Sequence, residues 1–161
     1  MITQQRLKEI LSYDPETGEF TNLVTRGAIK AGCRPGYVRV QDGYYVMILD
    51  GRLYLGHAVA WIYMLGTLPP DEIDHKDLDK SNNRWSNLRA ATPQQNCANR
   101  RKRADSKQPY KCVTFHRKKW RYAIVVDGKR QWSKVFDTPE LAHDAYTKKA
   151  IEIHGEFARV L

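Results

Sequence analysis

Apolar and polar positions alternate in two different rhythms along this chain. Helical spacing marks Thr3 to Ser12, and turn signals follow at Asp14-Pro15-Glu16-Thr17-Gly18 before a strand-like Glu19 to Val24. Period-two runs at Tyr37-Val38-Arg39-Val40 and Tyr44 to Leu49 flank Gln41-Asp42-Gly43, and Asp50-Gly51 turns the chain into Arg52-Leu53-Tyr54-Leu55. These predict short antiparallel strands. His57 to Leu65 is apolar almost all round and meets Gly66, which predicts a short buried helix; Pro69-Pro70 then predicts a break. His57 is a candidate ligand or phosphate contact, but a histidine satisfied within an apolar helix is the commoner outcome. Thr92-Pro93-Gln94-Gln95 reads as a capped helix start, with Asn96, Asn99, Arg100 and Arg103 spaced to form one polar, basic face.

Beyond Tyr110 the strand rhythm returns. Lys119 to Val126, the Asp127-Gly128 turn and Lys129 to Phe136 form a hairpin in which Val126 opposes Lys129. Parity then divides the side chains. Lys119, Arg121, Ala123, Val125, Arg130, Trp132, Lys134 and Phe136 share one face; Trp120, Tyr122, Ile124, Val126, Lys129, Gln131, Ser133 and Val135 share the other. Thr138-Pro139 opens a helix whose stripe of Leu141, Ala142, Ala145, Tyr146, Lys149, Ala150 and Ile153 should cover the Trp120-Tyr122-Ile124 face. The basic face with Trp132 is then left for solvent or a ligand.

The 161 residues carry a formal charge of +9. Residues 1–98 hold eleven basic and eleven acidic side chains, whereas 99–161 hold sixteen against seven, so the last part carries the whole excess. Such asymmetry points to an anionic partner for one module only. At the junction of the modules lies Arg100-Arg101-Lys102-Arg103, which leads into a polar stretch that reads as a linker at 101–110; its cations gain most beside a polyanion. A hydrophobic fraction of 42% excludes a disordered polycation. The absence of a long apolar run predicts no membrane span and a cytoplasmic protein. Cys33, Cys97 and Cys112 are too far apart in sequence for a disulfide framework or a paired zinc motif and are expected as free thiols.

Chemistry concentrates between Ile73 and Arg103. Asp74 and His75 are adjacent, so their joint use needs a strand end or a loop. His75 titrates near neutrality and suits a general base. Asp74 and Asn96 offer hard oxygens suited to one Mg2+ or Mn2+ ion. Asn-rich Ser81 to Arg89 favours turns.

The string Asp74-His75, Asn82-Asn83, Ser86-Asn87-Leu88-Arg89, Thr92-Pro93-Gln94-Gln95-Asn96 and Asn99 resembles the HNH endonuclease motif in its His-Asn-Asn variant, common among phage and intron-encoded homing endonucleases. Leu55 to Trp61 resembles the helix before that motif, and with Tyr13 to Gly18 the likeness spans about residues 1–103. It implies two antiparallel strands, a loop and a helix around one divalent metal, with His75 as base, Asn87 orienting it, and Asp74 and Asn96 as ligands. Leu78 stands where glycine is common, and Ala58 where arginine is frequent.

Residues from about Lys111 to Leu161 look like an APETALA-two or ethylene-response-factor DNA-binding domain, on Cys112 to His116, Lys119-Trp120-Arg121, Phe136 to Tyr146 and Ile153 to Ala158. Cys112 replaces a usual glycine. The resemblance implies a three-stranded sheet in the major groove, with Thr114, His116, Lys118, Arg121, Arg130, Trp132 and Lys134 facing double-stranded DNA; Asn99, Arg100, Arg101, Lys102 and Arg103 are expected to contact it on their spacing and charge.

The resulting expectation is an α+β protein: a ββα-metal nuclease module at 1–100, a basic linker at 101–110, and a three-stranded antiparallel sheet packed on one helix at 111–161. Its implied activity is metal-dependent cleavage of DNA to 5′-phosphate and 3′-hydroxyl ends, as in a phage homing endonuclease acting in the host cytoplasm. The competing class is a sequence-specific DNA-binding regulator with an inert nuclease module. A role in phage packaging or defence shares the chemistry.

Overall fold

The computed structural model describes residues 2–67 and 71–160, so the expected break at Pro69-Pro70 lies outside the described residues. The chain forms two compact units, Met1–Ala91 and Thr92–Leu161. All three cysteines are free and exposed. No described helix is long and apolar enough to cross a membrane.

The first unit opens with helix α1 (Gln4–Ile10), capped by the Thr3 hydroxyl, which accepts from the Arg6 amide. The helix ends earlier than its apolar spacing suggested. Leu11–Tyr13 leaves it as strand β1 and pairs antiparallel with β2 (Phe20–Asn22), because Leu11 and Tyr13 bury their side chains on one face of that ribbon. Strands β3 (Tyr37–Val38), β4 (Tyr45–Leu49) and β5 (Arg52–Leu55) form the expected antiparallel meander. Helix α2 (Gly56–Leu65) follows at once and stops at Gly66, whose φ of 71° is the left-handed cap that glycine adopts freely. Strands β6 (Glu72–His75) and β7 (Leu88–Ala91) make a separate hairpin with Asp74 opposite Arg89 and His75 opposite Leu88. Leu7, Phe20, Tyr45, Met47, Val59, Trp61, Ile73 and Leu88 are among the buried side chains joining these elements in one core.

Helix α3 (Pro93–Asn99) begins the second unit with the expected Thr92–Gln95 capping box. It ends at Asn99, so Arg100 is its cap and Arg103 lies beyond it; the continuous basic helical face does not form. Strands β8 (Val113–His116), β9 (Lys119–Val126) and β10 (Lys129–Trp132) form the three-stranded sheet in the order β10-β9-β8, with Val126 opposite Lys129. Helix α4 (Pro139–His154) buries Ala142, Tyr146 and Ala150, and Tyr146 and Ala150 cluster with Ile124, Tyr122 and Val126. Leu141, expected on that stripe, is exposed.

The expected alternation of faces persists up to Trp132 and breaks after it. Trp120 bridges Phe136, one residue out of step with the Ala123–Trp132 pair. The slip arises at Ser133, whose hydroxyl accepts from the Tyr122 amide while its own amide donates to the Tyr122 carbonyl. Phe136 is thereby brought alongside Tyr122, 6.3 Å between ring centroids, rather than beside Trp132.

Candidate nuclease site

Asp74 and His75 are the last two residues of β6, and both are buried, at 3% and 5% exposure. The hairpin register runs on one step past the strand, where the Lys76 amide donates to the Asn87 carbonyl. Asp74 receives Arg89 Nε and Nη2 on Oδ2, at 2.9 and 2.8 Å, from the residue directly opposite in the hairpin. No motif marks Arg89 as the partner of Asp74; the hairpin register is the signal that places it there.

The loop from 76 to 87 is held by asparagine side chains. Asn87 Nδ2 donates to Asp77 Oδ1 at 3.0 Å and to the Asn82 carbonyl at 2.9 Å, while its Oδ1 accepts from the Asp77 amide at 3.1 Å. Asn82 Nδ2 closes the ring onto Asp77 Oδ2 at 2.6 Å. The Asn87 side chain thus fastens the loop that follows His75. Leu78 sits in that loop at φ 70°, so the position where glycine is common does require the left-handed region.

Asn83 is buried from two sides. Its carbonyl accepts from Tyr13 Oη at 2.7 Å, and a Cβ on Gly56 would come within 2.8 Å of its side-chain nitrogen. The Asp14–Gly18 turn braces the next residues: Trp85 donates its amide to the Pro15 carbonyl, and a Cβ on Gly18 would meet the Arg84 nitrogen at 2.4 Å.

His57, at the start of α2, is drawn into the site rather than into plain core. Its ring centroid lies 5.1 Å from that of His75 in an edge-to-face pair, and Tyr44 flanks both rings at 5.3 and 6.2 Å. Burial, followed by the neighbouring His75, pushes His57 down to about 3. Burial also lowers His75, opposed by nearby Asn83, Asp77, Asp74 and Asp79. Both imidazoles are therefore neutral near pH 7, the state in which a histidine accepts a proton. Lys80 places its ammonium 4.5 Å over the Tyr44 ring.

Among the described residues no three His, Cys, Asp or Glu side chains form a metal cage. One buried carboxylate of this unit, already shared with a guanidinium, suits a hard cation that keeps waters and takes further oxygens from phosphate. The other expected ligand, Asn96, lies on α3 in the second unit.

In the second unit, Arg121, Arg130 and Trp132 come together on one face of the sheet. The Arg121 guanidinium carbon lies 3.9 Å from the Trp132 ring centroid and that of Arg130 lies 5.9 Å away. Thr114 pairs with Arg121, and Lys118 occupies the tight turn between β8 and β9 at φ 66°. His116 ends β8. This face is not bare: α3 and residues 101–112 flank a cavity of about 960 Å³ that Arg130 and Trp132 also line, and Gln94 Nε2 donates to the Val125 carbonyl.

One residue expected to face DNA is placed otherwise. Asn99 is buried, at 4% exposure. Lys102 donates to the Gln108 and Pro109 carbonyls and so turns back into its own segment, while Arg103 pairs with Asp105 and stays exposed. Lys134 falls in the irregular stretch after Trp132, its ammonium 5.8 Å over the Phe136 ring. Arg100 and Arg101 are exposed.

Residues 54–98, which include the buried His75 at the end of a two-stranded hairpin, the asparagine-fastened loop and most of the capped helix, match the HNH endonuclease family model. The chain is 34% identical over 119 residues to "Uncharacterized HNH endonuclease L560" of Acanthamoeba polyphaga mimivirus, covering 73% of this chain and 62% of that protein. It thus spans under two thirds of that relative's length. It is 29% identical over 106 residues to "Protein 3.8" of Escherichia phage T7, covering 64% of this chain and 87% of that one. A solved structure, described as DNA binding and cleavage by the HNH homing endonuclease I-HmuI, is similar over 90% of this chain and 85% of its own, with a TM-score of 0.44 and 19% identity.

Proposed function

We propose that the protein is a metal-dependent DNA endonuclease that hydrolyses phosphodiester bonds to 5′-phosphate and 3′-hydroxyl ends, in the manner of a phage homing endonuclease. The observation that carries the reading is a buried His75 at the end of β6, next to Asp74 and followed by a loop fastened by Asn87. In this reading His75 takes a proton from the attacking water, and the Asn87 network keeps the loop from relaxing around it. Asp74 would hold Mg2+ or Mn2+, and the resemblance assigns Asn96 as the second ligand. When bound, the ion would neutralise charge on the phosphoryl oxygens and assist the leaving 3′ oxygen. Arg89 offsets the Asp74 charge and keeps free-metal affinity weak.

The second unit would then be the DNA reader, an APETALA-two-like module whose Arg121, Arg130 and Trp132 face double-stranded DNA, with Thr114, His116 and Lys118 beside them. Arg100 and Arg101 would meet phosphates. Supercoiled plasmid incubated with magnesium, manganese or chelator tests the activity: nicking or linearisation with either ion, none with chelator, and a loss of about 100-fold or more in His75→Ala at unchanged DNA affinity. The Arg89–Asp74 pair is the observation that favours the competing reading, a DNA-binding regulator with an inert module. DNA binding without cutting under either metal would establish it.

A further inference from the structure

The buried positions of α2 follow one rule, broken once. Val59, Ala60, Trp61 and Ile62 are apolar, as a helix buried in a small core demands, whereas His57 places an imidazole in the same interior at 8% exposure. Its Nδ1 is buried and has no hydrogen-bond partner among the described residues. Leaving such an atom unmade works against folding, while a phenyl ring would fill the same space without that penalty. Core packing therefore explains the ring but not its nitrogen.

The neighbours indicate what the nitrogen serves. The His57 and His75 rings meet at an interplanar angle of 81°, and Tyr44 closes the adjacent side of both. The position is rigid: α2 starts at Gly56, pressed against Asn83 and Tyr45, in a helix anchored by core residues. His57 thus reaches His75 from an element other than the β6–β7 hairpin. Hydrogen bonds of a catalytic group are often completed only when substrate closes the site.

We propose that His57 is a positioning residue of the nuclease site, which sets the plane of the His75 ring and whose buried Nδ1 gains a hydrogen-bond partner when the side chains around it move on DNA binding. This inference rests on the endonuclease reading. It separates two roles that a plain core histidine would not have: the ring supports the fold, and the nitrogen supports turnover at some expense of stability.

The test compares the full chain with His57→Phe, His57→Asn and His75→Ala, using supercoiled plasmid with magnesium or manganese, DNA binding in chelator, and thermal unfolding. His57→Phe should raise Tm by about 2–4 °C while kcat falls by about 10-fold to 100-fold, with KM and DNA affinity within about 2-fold of wild type. His57→Asn, which restores a polar atom near the place of Nδ1, should recover part of kcat without the gain in Tm. Wild-type kcat in His57→Phe would overturn the inference, as would loss of kcat and Tm together, or an asparagine variant no faster than the phenylalanine one. Should His57→Phe not fold, kcat in His57→Asn at or below one hundredth of wild type overturns it and a smaller loss supports it. Absence of metal-dependent cutting by the wild type would instead sink the endonuclease reading, and this inference with it.

Discussion

The two units place their polar side chains in opposite ways. In the first, His57, Asp74, His75, Asn83 and Asn87 are all buried, each at 8% exposure or less, and Asp74 and Asn87 are tied by named hydrogen bonds. In the second, Arg130 and Trp132 are exposed on a sheet face, and Trp132 is braced by arginine stacking rather than by burial. Burial weakens competition from water and orients a few groups, which suits bond making; exposure leaves cations and an aromatic edge free for a large polyanion.

Removing one member of a buried pair gives the largest expected effect. Asp74→Ala leaves the Arg89 guanidinium without its carboxylate and should destabilise the first unit by about 3–5 kcal/mol, in addition to abolishing cutting. Adding Arg89→Met should restore much of the stability and none of the activity; denaturant unfolding of both variants decides whether the pair is structural as well as chemical.

An exposed face should respond more gently and with sequence dependence. Arg130→Ala is expected to weaken a preferred DNA site by about 1–3 kcal/mol and random DNA much less. Arg101→Ala should weaken both alike and lower the salt slope by about one. Lys102→Ala should do neither, because its ammonium already caps Gln108 and Pro109. Titrations at two salt concentrations check all three, and identical behaviour of Arg130→Ala and Arg101→Ala would erase the contrast between the units.

The buried histidines also predict a pH dependence. His57 titrates near 6.5 when unfolded and about 3 when folded, so below pH 6.5 the unfolded chain binds more protons and stability falls as pH drops toward 3. The slope should approach about 1.4 kcal/mol per pH unit for this one group, and unfolding of wild type and His57→Phe between pH 7 and 5 should show a flatter curve in the variant.

The smallest expected effect tests strain. Cys112 holds φ 61° at a position where the resemblance expects glycine. Cys112→Gly should stabilise the second unit by about 1 kcal/mol, measured by thermal unfolding, because the left-handed penalty exceeds the added freedom of the unfolded chain.

Much was legible from local rules. The Thr92 capping box, the Gly66 stop and the Val126–Lys129 register each depend on residues within one turn or hairpin, and each is found as expected. The motif order from Asp74 to Asn96 likewise lies in the linear chain. What the chain order could not show were meetings between distant segments. The edge-to-face contact of His57 with His75 joins residues eighteen apart through separate elements, and the Tyr13–Asn83 bond spans seventy positions. Arg89 on Asp74 required a hairpin register set by a loop whose side chains bond one another. The Ser133 slip, which moves Phe136 out of the expected parity, rests on a side chain entering the backbone ladder. Local periodicity is set by backbone geometry and short-range sterics, so sequence alone determined most of the elements and their caps. Burial, ion pairing and register breaks depend on which surfaces exclude water together, and only the tertiary structure decided those.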